Sequence, residues 1–81
     1  MHMYPQEFQT ADWYLFVWLI AHGFEVKRID RTNERKCQFC FEQSVELVSA
    51  VNDFWKNGIV KVQDFVLAIK KAKVLLHADS F

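Results

Sequence analysis

A nine-residue apolar run lies near the start of the chain, where residues 13–21 carry no charged side chain. Thr10 offers an N-cap hydroxyl, Asp12 places a negative charge in the first turn, and Gly23 suits the position after the last turn. The pattern therefore predicts a helix over 11–22. A helix that is apolar on every side must be covered on every side, by its own chain or by a partner.

Two stretches of alternating polar and apolar residues follow this helix. Residues 24–30 and 35–42 are predicted strands, and the short polar connection 31–34 favours an antiparallel hairpin. One face of the hairpin is predicted to be buried, and it carries Phe24, Val26, Cys37, Phe39 and Phe41. The opposite face is predicted to meet solvent or a partner, and it carries Glu25, Lys27, Ile29, Lys36 and Gln38.

The C-terminal half predicts two further helices. Ser44 is a good N-cap for the second helix, and Asn57-Gly58 ends it. Its apolar residues recur at helical spacing, and they are Leu47, Val48, Val51, Phe54 and Trp55. The third helix is predicted from about residue 62 to residue 77. Its apolar stripe is formed by Phe65, Ile69, Ala72 and Leu76, with Lys70, Lys71 and Lys73 lying off the stripe.

These elements predict an α+β domain of order αββαα. An isolated two-stranded hairpin is unstable in water, so we expect it to pack against the three helices. The domain is predicted to span residues 10–78. Residues 1–9 are interpreted as a lead-in and residues 79–81 as a tail.

The composition adds a surplus of apolar surface to this picture. Hydrophobic residues make up 52% of the 81-residue chain and aromatic residues 16%. A chain of this length has a small core, and surplus apolar area that remains exposed usually marks an interface. The composition therefore favours association with a protein.

The first helix and the end of the second supply the residues for such an interface. Tryptophan and tyrosine are frequent interface anchors. The candidate partner-binding residues are Trp13, Tyr14, Trp18 and Trp55. One alternative is that the chain wraps the first helix completely; the other, which we favour, is that an aromatic flank pairs with a second copy or another protein. We accordingly expect a homodimer or another protein complex.

Nucleic-acid binding is the alternative function. The predicted hairpin carries a cluster of cations, and a two-stranded ribbon can enter a major groove while arginines contact phosphates. The candidate residues are Lys27, Arg28, Arg31, Arg35 and Lys36. Ten basic and ten acidic residues give a formal net charge of zero, which argues against a general polyanion binder. A solvated turn with local pairing to Asp30 and Glu34 is the competing interpretation.

The sequence shows little sign of chemistry. Cys37 and Cys40 have the spacing of half a zinc site, but no second cysteine pair follows. Residues three apart in a strand point to opposite faces, so the two sulfur atoms are not expected to share a metal or a disulfide. We expect both thiols to serve in packing, with Cys37 the more buried, and treat a metal or thiol site as a minor alternative. With no recognisable catalytic grouping or phosphate loop, we expect no enzyme, no cofactor and no bound metal.

The cellular location is an expectation of the same kind. Residues 1–10 lack the charged and apolar regions of a secretory signal, and the nine-residue apolar run is too short for a membrane helix, which needs about 20 residues. We therefore expect a cytoplasmic protein with free thiols and no membrane contact.

Three segments carry a family resemblance: "DWYLFVWLIAHGFEV", "CQFCFEQSVELVSAVNDFWKNG" and "KVQDFVLAIKKAK". Together they resemble a small domain of unknown function found in bacterial and phage proteins, over residues 8–77. The matching positions are core and cap positions, and two departures are the Trp13-Tyr14 pair and a hairpin turn without glycine. The resemblance implies the αββαα fold and a mobile-element accessory role, in one version a modulator of a host or defence complex, and it implies no activity.

Overall fold

The computed structural model describes residues 7–32 and 35–78. Within these ranges the chain forms three strands and three helices in the order βαββαα. The strands are β1 (Glu7–Thr10), β2 (Val26–Asp30) and β3 (Gln38–Glu42), and the helices are α1 (Trp13–Ala21), α2 (Val45–Trp55) and α3 (Val62–Leu76). The α+β class, the antiparallel hairpin and the three helices are confirmed.

The strand β1 lies largely inside the segment predicted as a lead-in. It pairs antiparallel with β3, so the sheet has the order β1-β3-β2 and β3 is its central strand. Phe8 of β1 stands opposite Phe41 and packs against the core. A four-residue strand with a single large apolar residue gives too little alternation to stand out in a sequence.

A β-bulge in β2 reverses the predicted faces of that strand. Between Val26 and Arg28 the pairing with β3 shifts by one residue, which leaves Lys27 as the extra residue. Side chains alternate along a strand, so an inserted residue exchanges the faces of everything beyond it. Ile29 is therefore 6% exposed and lies opposite Phe39, and its predicted outward orientation is wrong.

The first helix is capped by Asp12 rather than by Thr10. The Asp12 carboxylate accepts hydrogen bonds from the backbone N–H groups of Tyr14 (2.9 Å) and Leu15 (3.1 Å). The Thr10 hydroxyl instead accepts from the Asp12 N–H at 3.1 Å, because Thr10 itself belongs to β1. The predicted N-cap was therefore two residues too early.

The C-terminal ends of α1 and α2 share one motif. Gly23 follows α1 with φ of 91°, its N–H donates to the Ile20 carbonyl, and the Phe24 N–H donates to the Leu19 carbonyl. Asn57 takes the equivalent position after α2 with φ of 63°. These are Schellman motifs, so the predicted stop signals at both helices are confirmed.

The helix α1 lies at the centre of the domain, with six consecutive buried residues from Leu15 to Ile20. On one side the Phe16 ring stacks on Phe39 of β3, with centroids 3.9 Å apart. On its other sides α1 packs against α3 and α2. The chain itself therefore covers nearly all of the apolar helix, and the exposed side chain of Tyr14 is the main exception.

Candidate interaction surface

Trp18 belongs to the core rather than to the surface. Its side chain is 4% exposed, and its indole N–H donates a 2.9 Å hydrogen bond to the Ala50 carbonyl of α2. The rings of His22 and Phe54 lie against it, with centroids 4.1 Å and 5.8 Å away. The structure thus corrects the assignment of Trp18 as a partner-binding residue, because α2 already occupies the position that a partner would take.

Trp13 is half-buried and packs against the core. Its ring lies 5.8 Å from Phe16 and 6.2 Å from Phe39, measured between centroids. These contacts make Trp13 a packing residue at the rim of the core, with part of its surface still accessible.

Tyr14 and Trp55 are the predicted partner-binding residues that the structure leaves exposed. Tyr14 is 64% exposed at the start of α1, and Trp55 is 65% exposed at the end of α2. Trp55 is supported from one side by Phe54, whose ring meets it edge-on at 4.9 Å. Phe54 in turn contacts Trp18, and Tyr14 lies one helical turn before Trp18 on α1. Trp55 is therefore linked to the buried indole through Phe54, and Tyr14 precedes that indole by one turn on α1.

The helix α2 carries a second apolar stripe that faces away from the core. Its buried side is formed by Leu47, Ala50, Val51 and Phe54. Three apolar residues of α2 are exposed: Val45, Val48 and Trp55, of which Val45 is 83% exposed. Together with Asn52 they occupy positions i, i+3, i+7 and i+10, a spacing that places side chains along one side of a helix. We call these four residues the outer stripe. The sequence pattern included Val48 and Trp55 among the apolar positions but did not separate the two sides.

A shallow hollow lies at the N-terminal end of the outer stripe. It has a volume of about 350 Å³ and is lined by Gln43, Ser44, Val45 and Val48. The Ser44 hydroxyl accepts a 3.1 Å hydrogen bond from the Leu47 N–H and so serves as the predicted N-cap. The hollow therefore has a fixed polar rim at the helix start and an apolar wall on the helix side.

Two cations of the hairpin form ion pairs with carboxylates of the same domain. Arg28 forms an ion pair of 2.8 Å with Glu7 and a longer one with Asp30, and Lys27 lies 3.6 Å from the same Glu7 carboxylate. Hydrogen bonds from Arg28 hold the pKa of Glu7 below its ordinary value, and the same bonds raise the pKa of Arg28. The positive charge of this part of the hairpin is therefore partly neutralised.

The other hairpin cations lie nearer the turn. The Arg31 guanidinium donates to the backbone carbonyls of Leu76 and Ala78, which fastens β2 to the C-terminal end of α3. Arg35 and Lys36 are exposed, and Lys36 lines a small hollow with Asp30. Glu34, the expected local partner, lies outside the described residues.

Cys40 is the more buried of the two cysteines, contrary to expectation. It lies on the predicted opposite face of β3 from Phe39 and Phe41, but it has no exposed surface, whereas Cys37 is half-buried. Because β3 is the central strand, the Arg28–Glu7 pair spans it from β2 to β1 above Cys40. Burial raises the pKa of the Cys40 thiol.

A cleft lies between the end of α1 and the start of α2. It has a volume of about 430 Å³, and its apolar floor includes Phe24, Phe41 and Leu47. Glu25 and Glu42 are its charged lining residues, with no histidine, cysteine or lysine beside them. Besides the two carboxylates, the lining includes the hydroxyl of Ser44, which caps α2.

Across residues 7–32 and 35–78, no three histidine, cysteine, aspartate or glutamate side chains are gathered so that they could hold a metal ion. None of the helices described is long and apolar enough to cross a membrane.

Comparison with known proteins identifies the family. No curated protein and no solved structure matches the chain significantly. A family model does match, over residues 5–78, and it is described as a domain of unknown function (DUF5659). The match takes in every strand and helix from β1 to α3. The chain therefore belongs to the DUF5659 family.

Proposed function

We propose that this domain is a small, non-enzymatic protein-binding module whose contact surface is formed by the exposed aromatic and aliphatic side chains of α1 and α2. The observation that carries the proposal is the exposure of Tyr14 and Trp55, about two thirds each. Large aromatic side chains at the surface of a small domain are typical of binding hot spots.

Burial of the Tyr14 and Trp55 side chains against a partner lowers the free energy of the complex. An aromatic side chain contributes roughly 150–250 Å² of surface when buried, so covering the exposed part of Trp55 stabilises a complex by roughly 2–4 kcal/mol. Tyr14 adds a phenol hydroxyl that can form a hydrogen bond at the edge of such a contact. Covering each of these residues thus makes a favourable contribution to binding.

One further feature supports binding rather than catalysis, and another supports a cytosolic location. The 430 Å³ cleft holds the carboxylates of Glu25 and Glu42 with no histidine, cysteine or lysine in its lining, and the Ser44 hydroxyl there is already used as a helix cap. Cys37 and Cys40 are free thiols, which fits a reducing compartment.

Nucleic-acid binding through the hairpin ranks second. A phosphate would have to compete with the Glu7 carboxylate for Arg28 and with backbone carbonyls of α3 for Arg31. Binding of a labelled duplex that weakens steeply with salt would favour this alternative, because phosphate contacts release counterions.

The proposal is tested by affinity capture from an extract of the source cells, with variants of the full chain as bait. A partner that contacts this surface should be retained by the wild type and by Leu67→Ala, which removes a 60% exposed apolar side chain from α3. It should be lost with Trp55→Ala and reduced with Tyr14→Ala. Equal retention by all four proteins, or capture no greater than that of a blank matrix, contradicts the proposal.

A further inference from the structure

The outer stripe of α2 has a projecting aromatic side chain at one end and a hollow with an apolar wall at the other. Trp55 stands 65% exposed at one end, and the hollow beside Val45 and Val48 opens at the other. Ten residues separate Val45 from Trp55, which corresponds to about 15 Å along a helix. A projection and a hollow on one helix, separated along its axis, can be filled reciprocally by an antiparallel copy of the same helix.

We propose that α2 pairs antiparallel with α2 of a second copy of this chain, so that Trp55 of each copy fills the hollow beside Val45 and Val48 of the other. This inference rests on the proposed protein-binding function and names a second copy as the occupant of the α2 surface. The two-fold arrangement places Val48 of one copy near Asn52 of the other, so the centre of the contact carries no charge. The hollow is shallow and open, so an indole ring can lie against its apolar wall at Val45 and Val48.

The charges around the outer stripe favour the antiparallel orientation. Glu42 is exposed just before α2, and Lys56 is exposed just after it. Antiparallel pairing brings the acidic end of each copy to the basic end of the other, whereas parallel pairing brings like charges together. Glu46 and Asp53 lie on the far side of the helix from the stripe, by helical spacing. The formal net charge of zero removes long-range repulsion between copies.

The size of the contact sets its strength. One tryptophan and two valines expose on the order of 350 Å² per copy, which is below the roughly 800 Å² per partner of a standard interface. The account therefore predicts a weak dimer that forms at high protein concentration and dissociates on dilution.

Sedimentation equilibrium of the full chain over a concentration series tests this inference. The average mass of the wild type should rise from the 9.7 kDa of the monomer toward twice that value. Val45→Glu and Trp55→Ala should keep the mass at that of the monomer over the same range. Leu67→Glu and Leu67→Ala are the matched controls on α3, and both should associate as the wild type does. Val45 is so exposed that its substitution leaves the fold intact, which thermal unfolding verifies.

Three results would overturn the inference: a wild type that stays monomeric at the highest concentration, a Val45→Glu variant that associates like the wild type, or a Leu67→Glu variant that loses association equally. A monomeric wild type overturns self-pairing alone. Binding of a different protein is measured separately, by capture with the Tyr14 and Trp55 variants, so the two proposals fail independently.

Discussion

The indole N–H of Trp18 and the backbone carbonyl of Ala50 form a 2.9 Å hydrogen bond that joins α1 to α2 across 32 residues of sequence. Both residues are buried, so the bond fixes the position of α2 in a region that water does not reach. A buried donor without a partner is costly, which makes this bond specific for one arrangement of the two helices. Trp18 therefore maintains the fold, while Trp55, on the same helix as Ala50, is exposed.

The two tryptophans should respond differently to the same substitution. Trp18→Phe removes the hydrogen bond to Ala50 and leaves a space in the core, so the free energy of unfolding should fall by about 1–3 kcal/mol. Trp55→Phe changes an exposed side chain and should alter it by less than about 0.5 kcal/mol. Urea denaturation measures both values. Equal losses in the two variants would contradict the assignment of Trp18 to the core.

The two glycines should respond differently to alanine for distinct reasons. A Cβ at Gly58 would lie 2.7 Å from a ring carbon of Trp18 and 2.8 Å from the backbone oxygen of Asp53. Gly58→Ala should therefore move α2 relative to Trp18 and destabilise the domain by about 1–3 kcal/mol. Gly23→Ala meets nothing within 4 Å and should cost about 1 kcal/mol, because of its φ of 91° alone.

Chemical shifts of the Trp18 indole N–H distinguish these two mechanisms. Gly58→Ala should displace this signal, because the added methyl group contacts the Trp18 ring. Gly23→Ala should leave it in place. A Gly58→Ala variant with wild-type stability and an unmoved indole signal would refute the close approach of Gly58 to Trp18.

The ion pair between Arg28 and Glu7 should protect Cys40 from thiol reagents. In a Cys37→Ser background, Arg28→Ala should increase the rate of Cys40 modification several-fold, because it removes the side chain that spans β3 beside the thiol. Lys27→Ala, which removes the longer contact to Glu7, should have little effect. Mass spectrometry measures the rate at which the thiol is modified. An unchanged rate in Arg28→Ala would contradict the protection of Cys40 by the Arg28 side chain.

Glu7 should contribute to stability in a pH-dependent way. Its pKa in the folded state is lowered from an ordinary value of 4.5, chiefly by hydrogen bonds from Arg28. A carboxylate with a lowered pKa stabilises the fold above its unfolded pKa, and this contribution is lost as the pH falls through the folded pKa. Glu7→Gln should therefore be less stable than the wild type at neutral pH, and the difference should shrink in acid.

Unfolding titrations at neutral pH and at successively lower pH values measure this difference. Glu25→Gln is a suitable control, because Glu25 is exposed and forms none of the ion pairs found among the described residues. A Glu7→Gln effect that stays constant from neutral pH into strong acid would contradict the role of the Arg28 ion pair.

The three helices were predictable from the sequence because each has a strong local signal. Ser44 caps α2, Gly23 and Asn57 end α1 and α2, and the apolar spacing of α3 runs over four turns. The short strand β1 gave no comparable signal, since its partner β3 lies about thirty residues away in sequence. Its stability comes from pairing and from the contact of Phe8 with the core, which only the folded chain supplies.

The errors at the sheet and at the candidate surface share a physical origin. Alternation predicted the faces of β2 correctly up to Lys27, where the bulge exchanges them. The residue types around Lys27 do not indicate a bulge. The exposure of Tyr14 and Trp55 and the burial of Trp18 depend on where α2 crosses α1. Periodicity identifies apolar residues, but the packing of helices decides which of them are covered.

Trp55 lies in the proposed contact surface and Trp18 in the core, and the indole N–H signals of the three tryptophans distinguish these two positions. These signals are followed in ¹⁵N-labelled protein as its concentration is raised, or as a captured partner is added. The Trp55 signal should shift or broaden while the Trp18 signal stays in place. A Trp55 signal that is unmoved by either titration, or a Trp18 signal that moves in its stead, would contradict the account.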